Sequence, residues 1–228
     1  MIDAEIKEAV REHYTRAAGG DCCGDSCGCG EDAGPAGAVE FLGIPSFGCG
    51  TPVEAAALRS GEVVLDLGSG RGLDAFRAAQ RVGTHGRVIG VDMTSAMVAR
   101  SQEDAARLGF PQVEFRLGEI EHLPVAGGSV DVVLSNCVLN LIPDKGRAFA
   151  EAFRVLKAGG RMVVSDMVRA QPRPDGPPDP EKWAGCIDGA DPELLYLERI
   201  HRAGFEDIAV LARGEGNVYS LTVRARKP

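Results

Sequence analysis

At 228 residues the chain suits one sizeable α/β domain and is short for two. A hydrophobic share of 44% with 25% charged residues argues against a wholly disordered chain, and a formal net charge of −8 argues against the cationic face of a nucleic-acid binder. No apolar run reaches the roughly 18 to 20 residues that cross a bilayer, and the opening residues Asp3, Glu5 and Glu8 suit neither a secretory nor a transit peptide, so a cytoplasmic protein without membrane partners is expected.

In chain order, Ile2, Ile6, Val10 and Tyr14 recur every four residues, one face of a short amphipathic helix expected to dock on the domain and to stop at Gly19-Gly20. Residues 19 to 38 have no apolar period and hold four of the seven cysteines, Cys22, Cys23, Cys27 and Cys29, in "DCCGDSCGCG". This segment is expected to be mobile unless something ties its thiols together. After the turn-rich "IPSFGCGTP" comes a predicted helix over 53–58. Strands and helices then alternate: 63–67, 74–81, 87–91, 95–108, 113–117, 130–135, 145–156 and 161–168 are predicted as strand, helix, strand, helix, strand, strand, helix and strand. Such alternation predicts a doubly wound, mostly parallel sheet with helices on both faces, and the continuous apolar runs "VVLDL" and "RMVVSD" fit strands buried on both sides. Beyond 170, "QPRPDGPPDP" reads as a loop, 191–203 as a helix, and "DIAVLARGEGNVYSLTVRA" as two antiparallel strands at the sheet edge. The expected division is 1–45 as helix and Cys/Gly-rich segment, 46–170 as ligand-binding domain, and 171–228 as substrate loop, helix and edge strands. In total, a seven-stranded sheet with an antiparallel edge strand is expected.

"DLGSGRG", residues 66 to 72, carries the clearest chemistry. Glycines between a buried strand and a helix let a ligand approach the backbone, and the helix offers unpaired N–H donors. A dinucleotide fingerprint needs glycine at the sixth place, where Leu73 stands; here Gly68, Gly70 and Gly72 alternate. That spacing, with Asp66 ahead of it, resembles the cofactor loop of class I S-adenosylmethionine-dependent methyltransferases, whose fold is Rossmann-like. The resemblance implies that Gly68, Ser69 and Gly70 receive the amino-acid part of the cofactor and that Asp66 orients its ammonium group. It also implies Asp92 on the ribose hydroxyls, Met93 against the adenine face, Glu119 and Ile120 at the adenine, and Asn136 near the methyl group. Taken singly, Asp92 could simply cap the helix near Ser95 and Glu119 could be a solvated charge. Three such elements at consecutive strand ends make the ligand reading the better one, because ligands of doubly wound sheets gather there.

Cys49, Cys137 and Cys186 stand alone and far apart. A reducing compartment keeps such cysteines as thiols, and an odd count closes no disulfide framework. Taken alone, Cys137 reads as a small core hydrophobe. However, "VIGVDMT", "VEFRLGEIEHLPV", "SVDVVLSNCVLNLIPDK", "EAFRVLKAGGRMVVSDMV" and "WAGCIDGA" together resemble the arsenite S-adenosylmethionine methyltransferases, over residues 47 to 190. "SNCVLNL" and "GCIDGA" are not general methyltransferase features. The resemblance implies that Cys49, Cys137 and Cys186 bind trivalent arsenic as thiolates, with detoxification as the role. It also implies a disulfide formed among them after transfer, reduced by glutathione or thioredoxin. The chemistry is consistent: arsenic(III) is soft and thiophilic, and its lone pair is a nucleophile that needs no general base. His13, His85, His122 and His201 are scattered and read as surface or packing.

For the N-terminal cysteine cluster three readings stay open: arsenic capture or electron relay, a zinc site, and an inert tail. Two other functions also stay open, a same-fold methyltransferase for a quinone- or lipid-like acceptor and a non-enzymatic arsenic-sequestering protein. A monomer acting on a small-molecule metalloid is expected.

Overall fold

The computed structural model describes residues 2–18, 44, 48–174 and 176–228. Cys22, Cys23, Cys27 and Cys29, with the three readings attached to them, lie outside the described residues.

The Val-rich runs form strands because β-branched side chains are stiff and pack well on a pleated surface. Five strands lie parallel: β1 (Val63–Leu67), β2 (Arg87–Asp92), β3 (Val113–Leu117), β4 (Val130–Asn136) and β5 (Leu156–Arg169). After them, β6 (Glu206–Arg213) takes the edge and β7 (Val218–Arg226) inserts antiparallel between β5 and β6. The order is β3-β2-β1-β4-β5-β7-β6, so the strands of 171–228 share one sheet with those of 46–170. Pairing of β6 with β7 slips in register twice, between Glu206 and Ala209 and between Val210 and Ala212.

The helices are α1 (Ile2–Ala18), α2 (Pro52–Ala55), α3 (Leu73–Val82), α4 (Ser95–Leu108), α5 (Lys145–Val155), α6 (Pro180–Ala184) and α7 (Glu193–Arg202). They cover both faces of the sheet, whose strands divide their side chains between two apolar layers. One layer joins Leu65, Leu67 and Val133 to Phe149 and Tyr196, whose rings meet edge to face at 5.4 Å. The other joins Val64, Val132 and Leu134 to Phe76 and Val82. No helix among the described residues is long and apolar enough to cross a membrane.

One local expectation is corrected, and one stretch that was given no element holds a helix. The helix predicted over 53–58 stops at Ala55, because the Arg161 guanidinium takes the carbonyls of Ala56 (2.8 Å) and Ala57 (3.1 Å) and Ala57 turns left-handed at φ 47°. The stretch after the proline-rich loop contains α6, started by Asp179, whose carboxylate accepts the N–H groups of Glu181 and Lys182.

The predicted docking of the N-terminal helix is borne out. Ile6 and Val10 pack on Leu141 and Ala184, and Ala17 and Ala18 on Met97. Strand order reverses between β1 and β4, which opens a crevice at the carboxyl ends of the strands.

Candidate active site

The crevice is a cleft partly continuous with solvent. Gly68, at φ 62°, turns the chain off β1, and the Ser69 N–H donates to the Val91 carbonyl at 3.0 Å, which fastens the turn to β2. Asp92 holds the turn from the other side. Its Oδ2 accepts the Gly70 N–H at 2.9 Å and its Oδ1 the Thr94 N–H at 2.8 Å, while Thr94 itself is the N-cap of α4. Asp66, Gly68, Ser69, Gly70, Asp92, Met93, Glu119, Ile120 and Asn136, the residues expected to meet the cofactor, all line this one cleft.

Charge in the cleft is unbalanced. Burial pushes the Asp66 carboxyl well above the ordinary carboxylate range, and the charges of Asp74 and Asp92 push it further. Burial also raises Asp74, opposed by the Asn136 amide and Arg77, and raises Asp92, opposed by the backbone N–H groups of Thr94 and Gly70. Asp66 Oδ2 is buried without a hydrogen-bond partner. One buried carboxyl with an unmet oxygen and two half-buried ones, beside a turn of exposed backbone, suit a ligand carrying a cationic group. S-adenosylmethionine carries two, an ammonium and a sulfonium, so the residues present fit it.

α1 roofs the cleft with Lys7, Val10 and Tyr14. Lys7 Nζ lies 2.7 Å from Glu119 and 2.9 Å from Glu121, so Glu119 is ion-paired in addition to facing the cleft. The hydrogen bond from Lys7 draws the Glu119 carboxyl below its usual range. Lys7, Tyr14 and Asp74 were missed from the sequence. Asp74 had a readable signal, since the first turn of a helix after a glycine loop faces the same ligand; nothing local marks Lys7, which arrives through the fold of α1.

The three separate cysteines are brought together. Cys137 follows β4 in a left-handed conformation at φ 55°, its N–H donating to the Ser165 carbonyl at 2.8 Å, and it lines the cleft. Cys49 approaches from the segment before α2, and Cys186 follows α6 at φ 64°. The Cys186 thiol lies 3.9 Å from the Cys137 carbonyl oxygen. Left-handed backbone costs a non-glycine residue roughly 1 to 2 kcal/mol, and such strain collects at functional positions.

Cys49 and Cys137 are joined in a disulfide, with Cα atoms 5.7 Å apart. Of the two states expected for these cysteines, thiols and a disulfide formed among them, Cys49 and Cys137 are in the second: the sheet sets two cysteines 88 residues apart at bonding distance. In this state no group of three metal-binding side chains exists among the described residues. Cys186 keeps its thiol.

Polar groups behind the cysteines fix their relative positions. Asn140 Nδ2 donates to the Cys186 carbonyl at 3.3 Å, and Trp183 Nε1 donates to the Leu141 carbonyl at 2.8 Å. Beneath them, the buried Tyr196 hydroxyl donates to Asp166 at 2.8 Å. Burial pushes the Asp166 carboxyl up to about 7, although the Tyr196 hydroxyl, the Asn140 backbone and Lys145 oppose it. A carboxyl raised on folding binds its proton more tightly in the folded state. Its contribution to stability is full below about 3.8 and is lost as pH rises through about 7. Asp166→Asn is therefore expected to gain on the wild type by up to about 4 kcal/mol between pH 4 and pH 8, read from urea unfolding at both pH values.

The parallel sheet with its glycine turn and acidic cleft at the strand ends defines a class I methyltransferase domain, and the family model described as "Methyltransferase domain" matches residues 58–214. The arsenite methyltransferase of Halobacterium salinarum is 42% identical over 98% of this chain and 67% of its own length. That of Homo sapiens is 33% identical over 95% of this chain and 59% of its own. Among solved structures, the arsenic(III) S-adenosylmethionine methyltransferase of Chlamydomonas reinhardtii superposes with a TM-score of 0.75 at 34% identity, covering 85% of this chain and 75% of that one. The chain belongs to the arsenite S-adenosylmethionine methyltransferase family. It spans about two thirds or less of the length of these curated relatives.

Proposed function

We propose that the chain transfers a methyl group from S-adenosylmethionine to trivalent arsenic held by Cys49, Cys137 and Cys186. The observation that carries this is the meeting of three cysteines, remote in sequence, at the lip of an acidic cleft whose wall includes Cys137.

When bound, the cofactor supplies an electrophilic methyl group on a sulfonium. Asp66 and Asp74 attract its ammonium group, the turn at Gly68, Ser69 and Gly70 admits its amino-acid end, and Asp92 faces its ribose. Met93, Glu119 and Ile120 border the adenine, and Asn136 stands between the cleft and the cysteines. Three thiolates leave the arsenic lone pair as the nucleophile, so the chain has only to orient it. No proton needs removal from the acceptor, consistent with His122 being engaged with Arg147 and His13 lying against Tyr14.

The Cys49–Cys137 bond is the two-electron oxidised form of two of these ligands. An external dithiol such as thioredoxin, or two molecules of glutathione, returns it to two thiols with two electrons and two protons. This reading calls for a thiol-rich compartment such as the cytoplasm, with detoxification of arsenite as the role.

Purified protein incubated with arsenite and methyl-labelled cofactor is expected to form methylated arsenic only when a thiol reductant is present. Loss of the cross-linked Cys49–Cys137 peptide, followed by mass spectrometry, is expected to precede the first product. Full activity in each of the Cys49→Ser, Cys137→Ser and Cys186→Ser variants would remove this reading and leave an organic acceptor in its place.

A further inference from the structure

The side-chain amide of Asn136 is fully used, and it is used on two different segments. Its Oδ1 accepts the N–H groups of Cys49 at 3.0 Å and Gly50 at 3.2 Å. Its Nδ2 donates to the Gly50 carbonyl at 2.9 Å and to Asp74 Oδ2 at 2.8 Å. An amide has two acceptor positions and two N–H donors, so nothing is left over. One end of the planar group fixes the backbone of Cys49, and the other fixes a carboxylate in the wall of the cofactor cleft. Along the chain, the next residue is Cys137. One half of the disulfide, Cys49, and a cleft carboxylate are therefore tied to one planar group, carried by the residue that precedes the other half, and the plane cannot turn toward one without leaving the other.

We propose that Asn136 couples the thiol–disulfide state of the Cys49–Cys137 pair to the affinity of the cleft for the cofactor, with Asp74 as the carboxylate through which the coupling is felt. The proposal rests on the cofactor reading above. With the bond closed, the cross-link holds Cys49 against the amide and keeps its N–H aimed at Asp74. That donor is the main influence holding the Asp74 carboxyl down against the effect of burial. Opening the bond removes the cross-link, loosens the amide, and leaves Asp74 readier to take a proton. A protonated Asp74 attracts an ammonium group less. The closed form binds the amino-acid end of the cofactor more tightly, and by linkage the bound ligand protects the disulfide by the same factor.

The redox step is thiol–disulfide exchange. One thiolate of dithiothreitol attacks a sulfur of the pair, the S–S bond breaks, and the second dithiothreitol thiol closes a ring. Cys49 and Cys137 together gain two electrons and two protons, and dithiothreitol becomes a cyclic disulfide.

S-adenosylhomocysteine is the probe, because it carries the ammonium group but no sulfonium, so attraction between the sulfonium and a Cys137 thiolate does not enter. Its dissociation constant is measured by calorimetry on the full chain, disulfide-closed and dithiothreitol-reduced, with the state of the pair checked by peptide mass spectrometry. The closed form is expected to bind about fivefold or more tightly. Saturating ligand is expected to make the midpoint potential of the pair about 20 mV or more negative, the same factor for a two-electron couple. In Asn136→Ala the two affinities are expected to converge. Equal affinities in the wild type, or an undiminished ratio in Asn136→Ala, would overturn the proposal. If Asn136→Ala does not fold, the potential shift of the wild type decides alone. Absence of binding to either form would overturn the cofactor reading itself, and the proposal with it.

Discussion

Cys137→Ser is expected to lower arsenite methylation at least about a hundredfold, while S-adenosylhomocysteine binding stays within about threefold of the reduced wild type. Serine keeps the size of the side chain and the left-handed turn at φ 55°, so the wall of the cleft is preserved. What is lost is a soft, polarisable thiolate, and a hydroxyl is a poor ligand for arsenic(III). A hundredfold corresponds to roughly 3 kcal/mol of transition-state stabilisation. Single-turnover methylation and calorimetry on the same preparation separate the two effects. Equal losses of turnover and cofactor affinity would mean that Cys137 is merely part of the cleft wall.

Gly68→Ala is expected to act on stability and cofactor binding together. A Cβ on Gly68 would fall 2.3 Å from Val138 Cγ2, and the residue sits at φ 62°. Val138 follows Cys137, so relieving the clash moves the cysteine turn or the cofactor turn. Overpacking typically costs about 1 to 3 kcal/mol and the left-handed backbone about 1 more. For a domain of this size that corresponds to a melting temperature lower by roughly 5 to 15 °C. Gly70→Ala makes the control, since Gly70 is also left-handed at φ 51° but a Cβ there meets nothing within 4 Å. It is expected to cost only the backbone share, about 1 kcal/mol. Equal effects of the two substitutions in a thermal melt would show that the approach of Val138 is not what requires glycine at Gly68.

Much of this was legible because the signals are local. The period of Ile6 and Val10 marks a docked face, the apolar run "VVLDL" marks a doubly buried strand, and alternating glycines after it mark a ligand turn. The residues expected at the cofactor line one cleft because parallel strands bring their ends to one side. Non-local information was not legible. The link between Cys49 and Cys137 depends on the β4–β5 register and on the path of residues 48 to 50 across the sheet end, which no spacing encodes. Lys7 reaches Glu119 and Glu121 only because α1 crosses the cleft. The early stop of α2 is imposed by Arg161, about a hundred residues downstream, and a window reading of helical propensity does not contain that guanidinium. Asp74 is different, since its position in the first turn of α3 was available and was passed over.

The outermost strand has a consequence for handling the protein. An even, flat β6 would present a row of unsatisfied backbone groups to any neighbouring chain, an invitation to stack molecule upon molecule. The two slips against β7 bend that rim, and Glu206, Asp207 and Arg213 add charge along it. An edge so irregular and charged is a poor template for a further strand.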